Sequence, residues 1–133
     1  MSNKTLIRVR DVMKTDYELV HGMETVAEVL KKGEFTETKC IIVDKRHDDD
    51  EYGLVMLSDI AKKVLARDKS PERVNIYEIM SKPVMSVHPD MDIRYCTRLF
   101  DRFGLSRAPV LKKQKIIGLV SYTDIVLKGL AED

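Results

Sequence analysis

The fold is decided by a stretch that occurs twice, first as Tyr52-Gly53-Leu54-Val55-Met56-Leu57-Ser58-Asp59-Ile60 and again as Ile117-Gly118-Leu119-Val120-Ser121-Tyr122-Thr123-Asp124-Ile125. Glycine, leucine, valine, a hydroxyl residue, aspartate and isoleucine fall in register, 65 residues apart. A repeat at a fixed spacing indicates a duplicated structural unit. Each copy has the pattern of a strand followed by a hydroxyl, a carboxylate and a helix, which predicts two similar sites.

Composition narrows the class of protein. The chain has 133 residues, 44% hydrophobic and 34% charged, with a net charge of +1. This balance is typical of a globular protein and argues against a nucleic-acid partner, which would favour a strongly basic face. No apolar run reaches 18 residues and the N-terminus lacks the apolar core of a signal peptide, so we expect no membrane partner and a cytoplasmic location. Cys40 and Cys96 lie in apolar segments and are expected to be buried free thiols.

Hydrophobic periodicity predicts the same order of elements in both copies: a short helix, a strand, a helix, two strands and a helix. The main elements of the first copy are a helix capped by Thr25 and ending near Phe35, strands Cys40–Val43 and Gly53–Leu57, and a helix from Asp59 to about Arg67 capped by Ser58. Those of the second are an extended piece Val84–Val87, a helix Asp92–Phe103 stopped by Gly104, strands Arg107–Leu111 and Ile116–Ser121, and a helix Asp124–Leu130 capped by Thr123.

A single copy of roughly 60 residues is near the lower limit for independent stability. We therefore predict an α+β fold of two tandem βαββα repeats, residues 8–67 and 75–131, packed with pseudo-twofold symmetry into one compact module. The short polar connector 68–74 supports close packing of the repeats.

The order of these motifs resembles the CBS-domain pair, or Bateman module, over nearly the whole chain. The resemblance is carried by Asp11-Val12-Met13, Glu78-Ile79-Met80-Ser81, Val84 to Pro89, Leu105 to Val110 and Gly118 to Asp124. It implies a regulatory module that binds AMP, ADP or ATP in clefts between the repeats and transmits a conformational change to an effector protein of unknown identity. It also implies that two modules associate side by side, and we expect a homodimer through the helices Thr25 to Phe35 and Asp92 to Phe103.

Adenosine chemistry suits the second copy. The Asp124 carboxylate, at a helix start, can accept hydrogen bonds from both ribose hydroxyls, and Ser121 and Thr123 offer hydroxyls for ribose or phosphate oxygens. The helix N-terminus favours an anion, and Arg107 could pair with phosphate. Three apolar residues could sandwich the base: Val84, Ala108 and Pro109. An aspartate in a first helical turn also occurs simply because it satisfies free amides.

The first copy predicts a weaker site. Asp59 and Ser58 repeat the pattern, but Met56 replaces the hydroxyl of Ser121. The segment Thr38 to Ile42 also lacks the arginine and proline of the second copy, Arg107 and Pro109. Lys39 could supply the cation there, although a solvated lysine is the more ordinary interpretation. The chain therefore predicts two unequal sites, with the Asp124 site dominant.

No catalytic constellation is visible, and we predict that the protein is not an enzyme and requires no cofactor beyond a regulatory adenine nucleotide. The acidic run His47 to Glu51 lacks the spacing of a calcium loop and is expected to be a solvated turn, so no metal site is predicted. The alternative function is a ligand-independent adaptor that keeps the fold for dimerisation.

Overall fold

The computed structural model describes residues 6–130. Its elements follow the predicted order, except that the second copy has no strand between its first two helical segments. The elements of its first half are α1 (Val9–Val12), β1 (Leu19–Val20), α2 (Val26–Lys32), β2 (Cys40–Val43), β3 (Gly53–Met56) and α3 (Leu57–Ile60), which continues as a π-helical turn Ala61–Leu65. A 3-10 turn Ile76–Glu78 precedes α4 (Ile93–Phe103), β4 (Arg107–Lys112), β5 (Lys115–Ser121) and α5 (Tyr122–Gly129).

The chain divides into two compact units whose limits differ from those of the sequence repeats. The central unit is Glu18–Val84, and the terminal unit combines Met1–Tyr17 with Met85–Asp133. The lead-in segment of the first repeat, Val9 to Lys14, thus lies in the terminal unit, which is formed mainly by the second repeat. The lead-in segment of the second repeat, Ile76 to Ser81, lies in the central unit, which is formed mainly by the first repeat. The limits 8–67 and 75–131 remain a prediction for the repeats as sequence units.

In the central unit a three-stranded sheet has the order β1-β2-β3, with β1 parallel and β3 antiparallel to β2. All four residues of β2 are buried, because this central strand is covered on both faces. Thr25 caps α2 as predicted: its hydroxyl accepts a hydrogen bond from Glu28 N at 3.1 Å. Val26 and Val29 of α2 pack with Ile41 and Val55 in the core.

In the terminal unit β4 and β5 form an antiparallel pair in which Arg107 lies opposite Ser121. Val87 forms a single parallel bridge to Val110, so the predicted extended piece 84–87 contributes one bridged residue instead of a strand. Helix α4 ends as predicted at Gly104, whose φ of 66° is left-handed. Phe100 of α4 fills the core and meets Tyr122 edge-on, with ring centroids 5.2 Å apart.

The repeated glycines are explained by close contacts with methionines. A Cβ on Gly118 would lie 2.6 Å from Met13 Sδ and 2.9 Å from Lys14 O, and a Cβ on Gly53 would lie 2.6 Å from Met80 Sδ. Backbone bridges accompany these contacts, from Lys14 to Leu119 and, in the central unit, from Ser81 to Leu54. The glycine at each position therefore allows the lead-in segment to dock onto the strand.

Two predicted helix caps are wrong. Ser58 lies inside α3, which begins at Leu57 after Met56, and Thr123 lies inside α5, which begins at Tyr122 after Ser121. The cap residue stands three positions before the aspartate, because the aspartate occupies the third helical position and reaches back to the cap amide. Within residues 6–130 no helix has both the length and the apolar character needed to cross a membrane.

Both cysteines are free and buried, as predicted. Burial raises the pKa of the Cys96 thiol to about 11, so the reactive thiolate is scarce near neutral pH. We expect the native protein to react negligibly with a thiol reagent such as 5,5′-dithiobis(2-nitrobenzoic acid) at pH 7.5, and both thiols to react in urea. Rapid reaction of either thiol in the native protein would contradict the buried positions.

The turn between β2 and β3 is closed by Asp50, which was predicted to be solvated. Its carboxylate accepts hydrogen bonds from Arg46 N at 2.9 Å, Arg46 Nε at 3.0 Å and Lys82 Nζ at 2.8 Å, and the side chain is only 7% exposed. The Arg46 guanidinium, followed by the Lys82 ammonium, holds the pKa of the Asp50 carboxyl well below its ordinary value. The turn is therefore tied to the segment before Pro83.

This arrangement predicts a pH dependence of stability. A lowered carboxyl pKa stabilises the fold above the unfolded-state value of about 3.9, and that contribution is lost as pH falls below it. We expect Asp50→Asn to lower the free energy of unfolding at pH 7 and to lose less further stability between pH 7 and pH 3.5 than the wild type, as measured by urea denaturation. Asp48→Asn, at an exposed position of the same turn, should behave as the wild type. Equal pH profiles for all three proteins would contradict the role of Asp50.

Candidate functional site

The Asp124 carboxylate is held at the start of α5 by Ser121. Asp124 Oδ2 accepts hydrogen bonds from Ser121 N at 3.1 Å and Ser121 Oγ at 2.9 Å, and Asp124 N donates to Ser121 Oγ at 3.2 Å. This reciprocal capping box satisfies two amides of the helix end. Asp124 is only 3% exposed, one of two buried polar residues in the part of the chain that the structure describes.

Lys14 is the residue that sequence reasoning missed. Its ammonium group pairs with Asp124 Oδ1, on the carboxylate oxygen that Ser121 leaves open. The backbone of Lys14 is fixed at the same time, because its amide donates to Leu119 O at 2.8 Å and Leu119 N donates to Lys14 O at 2.9 Å. Lys14 and Asp124 are 110 positions apart, but the equivalence of Met13 and Met80 in the two copies could have drawn attention to a lysine where the other copy has Ser81.

Arg107 joins this group through the register of the sheet. It lies directly opposite Ser121 on β4, and paired residues in an antiparallel sheet project on the same face with Cβ atoms about 5 Å apart. Its guanidinium Nε also donates to Ser106 Oγ at 3.4 Å. The terminal unit therefore brings Lys14 and Ser121 into contact with the buried Asp124 carboxylate, and it places Arg107 opposite Ser121 on the neighbouring strand.

The other predicted members of this site differ in accessibility. Thr123 is exposed in the first turn of α5. Ala108 lies in the core cluster and Pro109 is fully buried, so their part in holding a base would fall to backbone atoms. Val84 is the last residue of the central unit and is not among the residues that the terminal unit assembles. The apolar sandwich for the base remains a prediction.

The corresponding position in the central unit is poorer in polar groups. Asp59 Oδ2 accepts a hydrogen bond from Met56 N at 2.9 Å, as Asp124 does from Ser121 N. Met56 brings a thioether in place of the Ser121 hydroxyl, and Ser81 takes the place of Lys14 through its bridge to Leu54. Among the ion pairs of residues 6–130, none includes Asp59. Ser58, next to Asp59, is exposed.

Lys39 does not occupy the position that corresponds to Arg107. Cys40 pairs with Met56 as Arg107 pairs with Ser121, so the arginine position of the central unit is a buried thiol. The carbonyl of Lys39 accepts from Leu57 N at 3.1 Å, as that of Ser106 accepts from Tyr122 N at 3.1 Å. Lys39 is therefore one residue away, exposed and in a left-handed conformation with φ of 58°. Sequence alone could not fix this register.

Chemically, the terminal-unit site can bind a ligand that offers hydroxyl donors to a carboxylate and an anionic group to a lysine and an arginine. No group of three or more His, Cys, Asp or Glu side chains suited to a metal ion occurs among residues 6–130.

Comparison with known proteins agrees with this architecture. The family model described as CBS domain matches residues 76–130. A hexameric CBS-CP12 protein from bloom-forming cyanobacteria is 32% identical in sequence, with a TM-score of 0.87 over 96% of this chain and 75% of that chain. An uncharacterised protein of Methanopyrus kandleri is 30% identical over 90% of this chain, which spans 61% of that relative's length. The chain belongs to the family of CBS-domain proteins, and the predicted mixed tandem-repeat fold of a CBS-domain pair is confirmed.

One solved relative carries direct information on ligands. A CBS-domain pair at 22% identity and a TM-score of 0.78, covering 96% of this chain and all of its own, was solved in complex with 5′-methylthioadenosine and S-adenosyl-L-methionine. At this identity the likeness to the present chain is one of fold. CBS-domain pairs as a class are regulatory modules.

Proposed function

We propose that this protein is a regulatory module that binds an adenosine-containing ligand, AMP, ADP or ATP, at the Asp124 site and passes a conformational change to a partner protein. The observation that carries the proposal is the contact of Lys14 and Ser121 with the buried Asp124 carboxylate, with Arg107 opposite Ser121 on the neighbouring strand. Adenosine ligands present the matching groups, two ribose hydroxyls and an anion. The relative that binds 5′-methylthioadenosine and S-adenosyl-L-methionine shows that a module of this fold can hold the adenosine group.

Regulation requires that the ligand favour one of two conformations, since equal affinity for both shifts nothing. The site is suited to this role because Asp124 lies in the first turn of α5 and Lys14 lies just after the end of α1. A ligand at the site would therefore contact the ends of two helices. We propose no catalytic activity, because the Ser121 hydroxyl and the Asp124 carboxylate are both engaged in capping α5.

A second candidate function is the ligand-independent adaptor. It is favoured by the occupancy of Asp124, whose two oxygens already accept bonds from Ser121 and Lys14. A ligand raises the melting temperature of the folded state with concentration. Thermal-shift titration with AMP, ADP, ATP and S-adenosylmethionine separates the two functions, because an adaptor would show no shift with any of them.

The ribose assignment predicts the effect of a substitution. Loss of a charged hydrogen-bond partner costs about 1.5–3 kcal/mol, so Asp124→Ala should weaken binding of AMP about tenfold to a hundredfold. Isothermal titration calorimetry on folded protein measures this, with circular dichroism as the check on folding because Asp124 also caps α5. The matched control is Asp59→Ala, which removes the same capping bond in the central unit and should change the affinity of the Asp124 site little. Unchanged affinity in Asp124→Ala would refute the assignment.

We also propose that the protein is a homodimer through α2 and α4. Tyr95, Leu99 and Phe103 follow one another at four-residue steps along α4, and Tyr95 and Phe103 are more than half exposed. On α2, Leu30 is exposed as well. An apolar ridge on a charged helix is typical of an interface.

Light scattering coupled to size-exclusion chromatography should give the mass of a dimer, against 15.3 kDa for the chain. Tyr95→Glu should shift the mass toward that of the monomer, because it places a charge in the apolar ridge. Arg98→Glu, at an exposed position of the same helix outside the ridge, controls for the added charge. A monomer at every concentration of wild-type protein would refute the dimer.

A further inference from the structure

The Lys14–Asp124 pair has a consequence for the kind of ligand that the proposed site accepts. Asp124 Oδ2 is filled by the amide and the hydroxyl of Ser121, and Oδ1 is covered by the Lys14 ammonium. A carboxylate offers about four lone-pair positions, two on each oxygen. Oδ1 therefore has one free lone-pair position and one that is occupied by Lys14. A ligand that donates two hydroxyl hydrogen bonds to Asp124 must displace Lys14 from the occupied position.

The Lys14 side chain can leave Asp124 Oδ1 while the backbone of its segment stays in place. Its backbone is held by two hydrogen bonds to Leu119, and Met13 beside it is packed against Gly118. Only the flexible four-carbon stem has to move, and the side chain is already 22% exposed. The head group can thus exchange partners while the lead-in segment stays docked on β5.

A displaced ammonium needs a new partner, since a charge in a partly buried site is costly unless it is paired. A ligand with an anionic group beside its ribose supplies that partner, and a neutral nucleoside does not. Arg107, opposite Ser121 on β4, adds positive charge on the same face of the sheet. The exchange is therefore balanced in charge only for an anionic ligand.

We propose that Lys14 is a specificity-determining residue, which makes the Asp124 site select adenosine ligands that carry a phosphate over neutral nucleosides. The inference rests on the proposed adenosine-binding function. In the central unit the equivalent position is Ser81, which is uncharged, so Asp59 is not covered by a cation and this selection is absent there.

The test compares AMP with adenosine, which share base and ribose and differ by the phosphate. Isothermal titration calorimetry is carried out on the wild type and on Lys14→Met, with Lys14→Gln as a second variant because the loss of the cation beside a buried carboxylate could impair folding. In the wild type AMP should bind more tightly than adenosine. In both variants AMP affinity should fall about tenfold or more, and adenosine affinity should stay equal or rise because no ammonium competes for Oδ1.

Two controls sharpen the result. Lys112→Met removes an exposed lysine at the far end of β4 and should leave the ratio of AMP to adenosine affinity as in the wild type. Lys14→Arg keeps the charge and should restore most of the preference for AMP. A generally damaged fold would lower the affinities for AMP and adenosine together. The proposed role lowers the affinity for AMP without lowering the affinity for adenosine, so the ratio of the two changes.

The outcomes separate the two proposals. If both ligands bind the wild type and their affinity ratio is the same in Lys14→Met and Lys14→Gln, the role of Lys14 is overturned while the adenosine site stands. If neither ligand binds the folded wild type, the adenosine function is overturned and the inference falls with it.

Discussion

The contact between a methionine and a glycine is the constraint on which the rest of the terminal unit depends. A Cβ on residue 118 would lie 2.6 Å from Met13 Sδ and 2.9 Å from the backbone oxygen of Lys14, so glycine lets the N-terminal segment lie close against β5. Once that segment is docked, the bridge between Lys14 and Leu119 fixes the next residue in place. Lys14 then reaches Asp124 because both flank the same strand. The contact of Lys14 with Asp124, 110 positions away in sequence, thus follows from the packing of Met13 against Gly118.

The same contact occurs in the central unit, where Met80 meets Gly53, yet the chemistry around it has changed. Three equivalent positions carry Ser121, Arg107 and Lys14 in one unit and Met56, Cys40 and Ser81 in the other. Every difference removes a charge or substitutes sulfur for a hydroxyl. The duplicated scaffold is therefore retained where backbone packing demands it, and the polar groups diverge where the scaffold leaves them free to do so. This difference is the physical basis on which we propose two unequal sites.

Sequence patterns were sufficient for elements with a strong local signal. Thr25 predicts the start of α2, and the apolar steps up to Phe103 followed by Gly104 predict the helix α4. The predicted caps of α3 and α5 are wrong, because the capping residue lies three positions before the aspartate and not directly before it. At Met56 no side chain could have signalled the cap. Lys14 and the position of Cys40 opposite Met56 needed long-range pairing, which local propensity does not encode.

The pairing of Lys14 with Asp124 bears on how the protein keeps a buried carboxylate without destabilising the fold. A buried carboxylate left alone would be strongly destabilising, and the protein would then be stable only when occupied. Lys14 removes that difficulty because it neutralises Asp124 from within the same unit. Under the proposed function the cost is competition, since a ligand of Asp124 would have to displace the cation that stabilises the carboxylate. Ligand and lysine would then share one oxygen, and the free energy available to shift the conformation would be the difference between their two interactions with it.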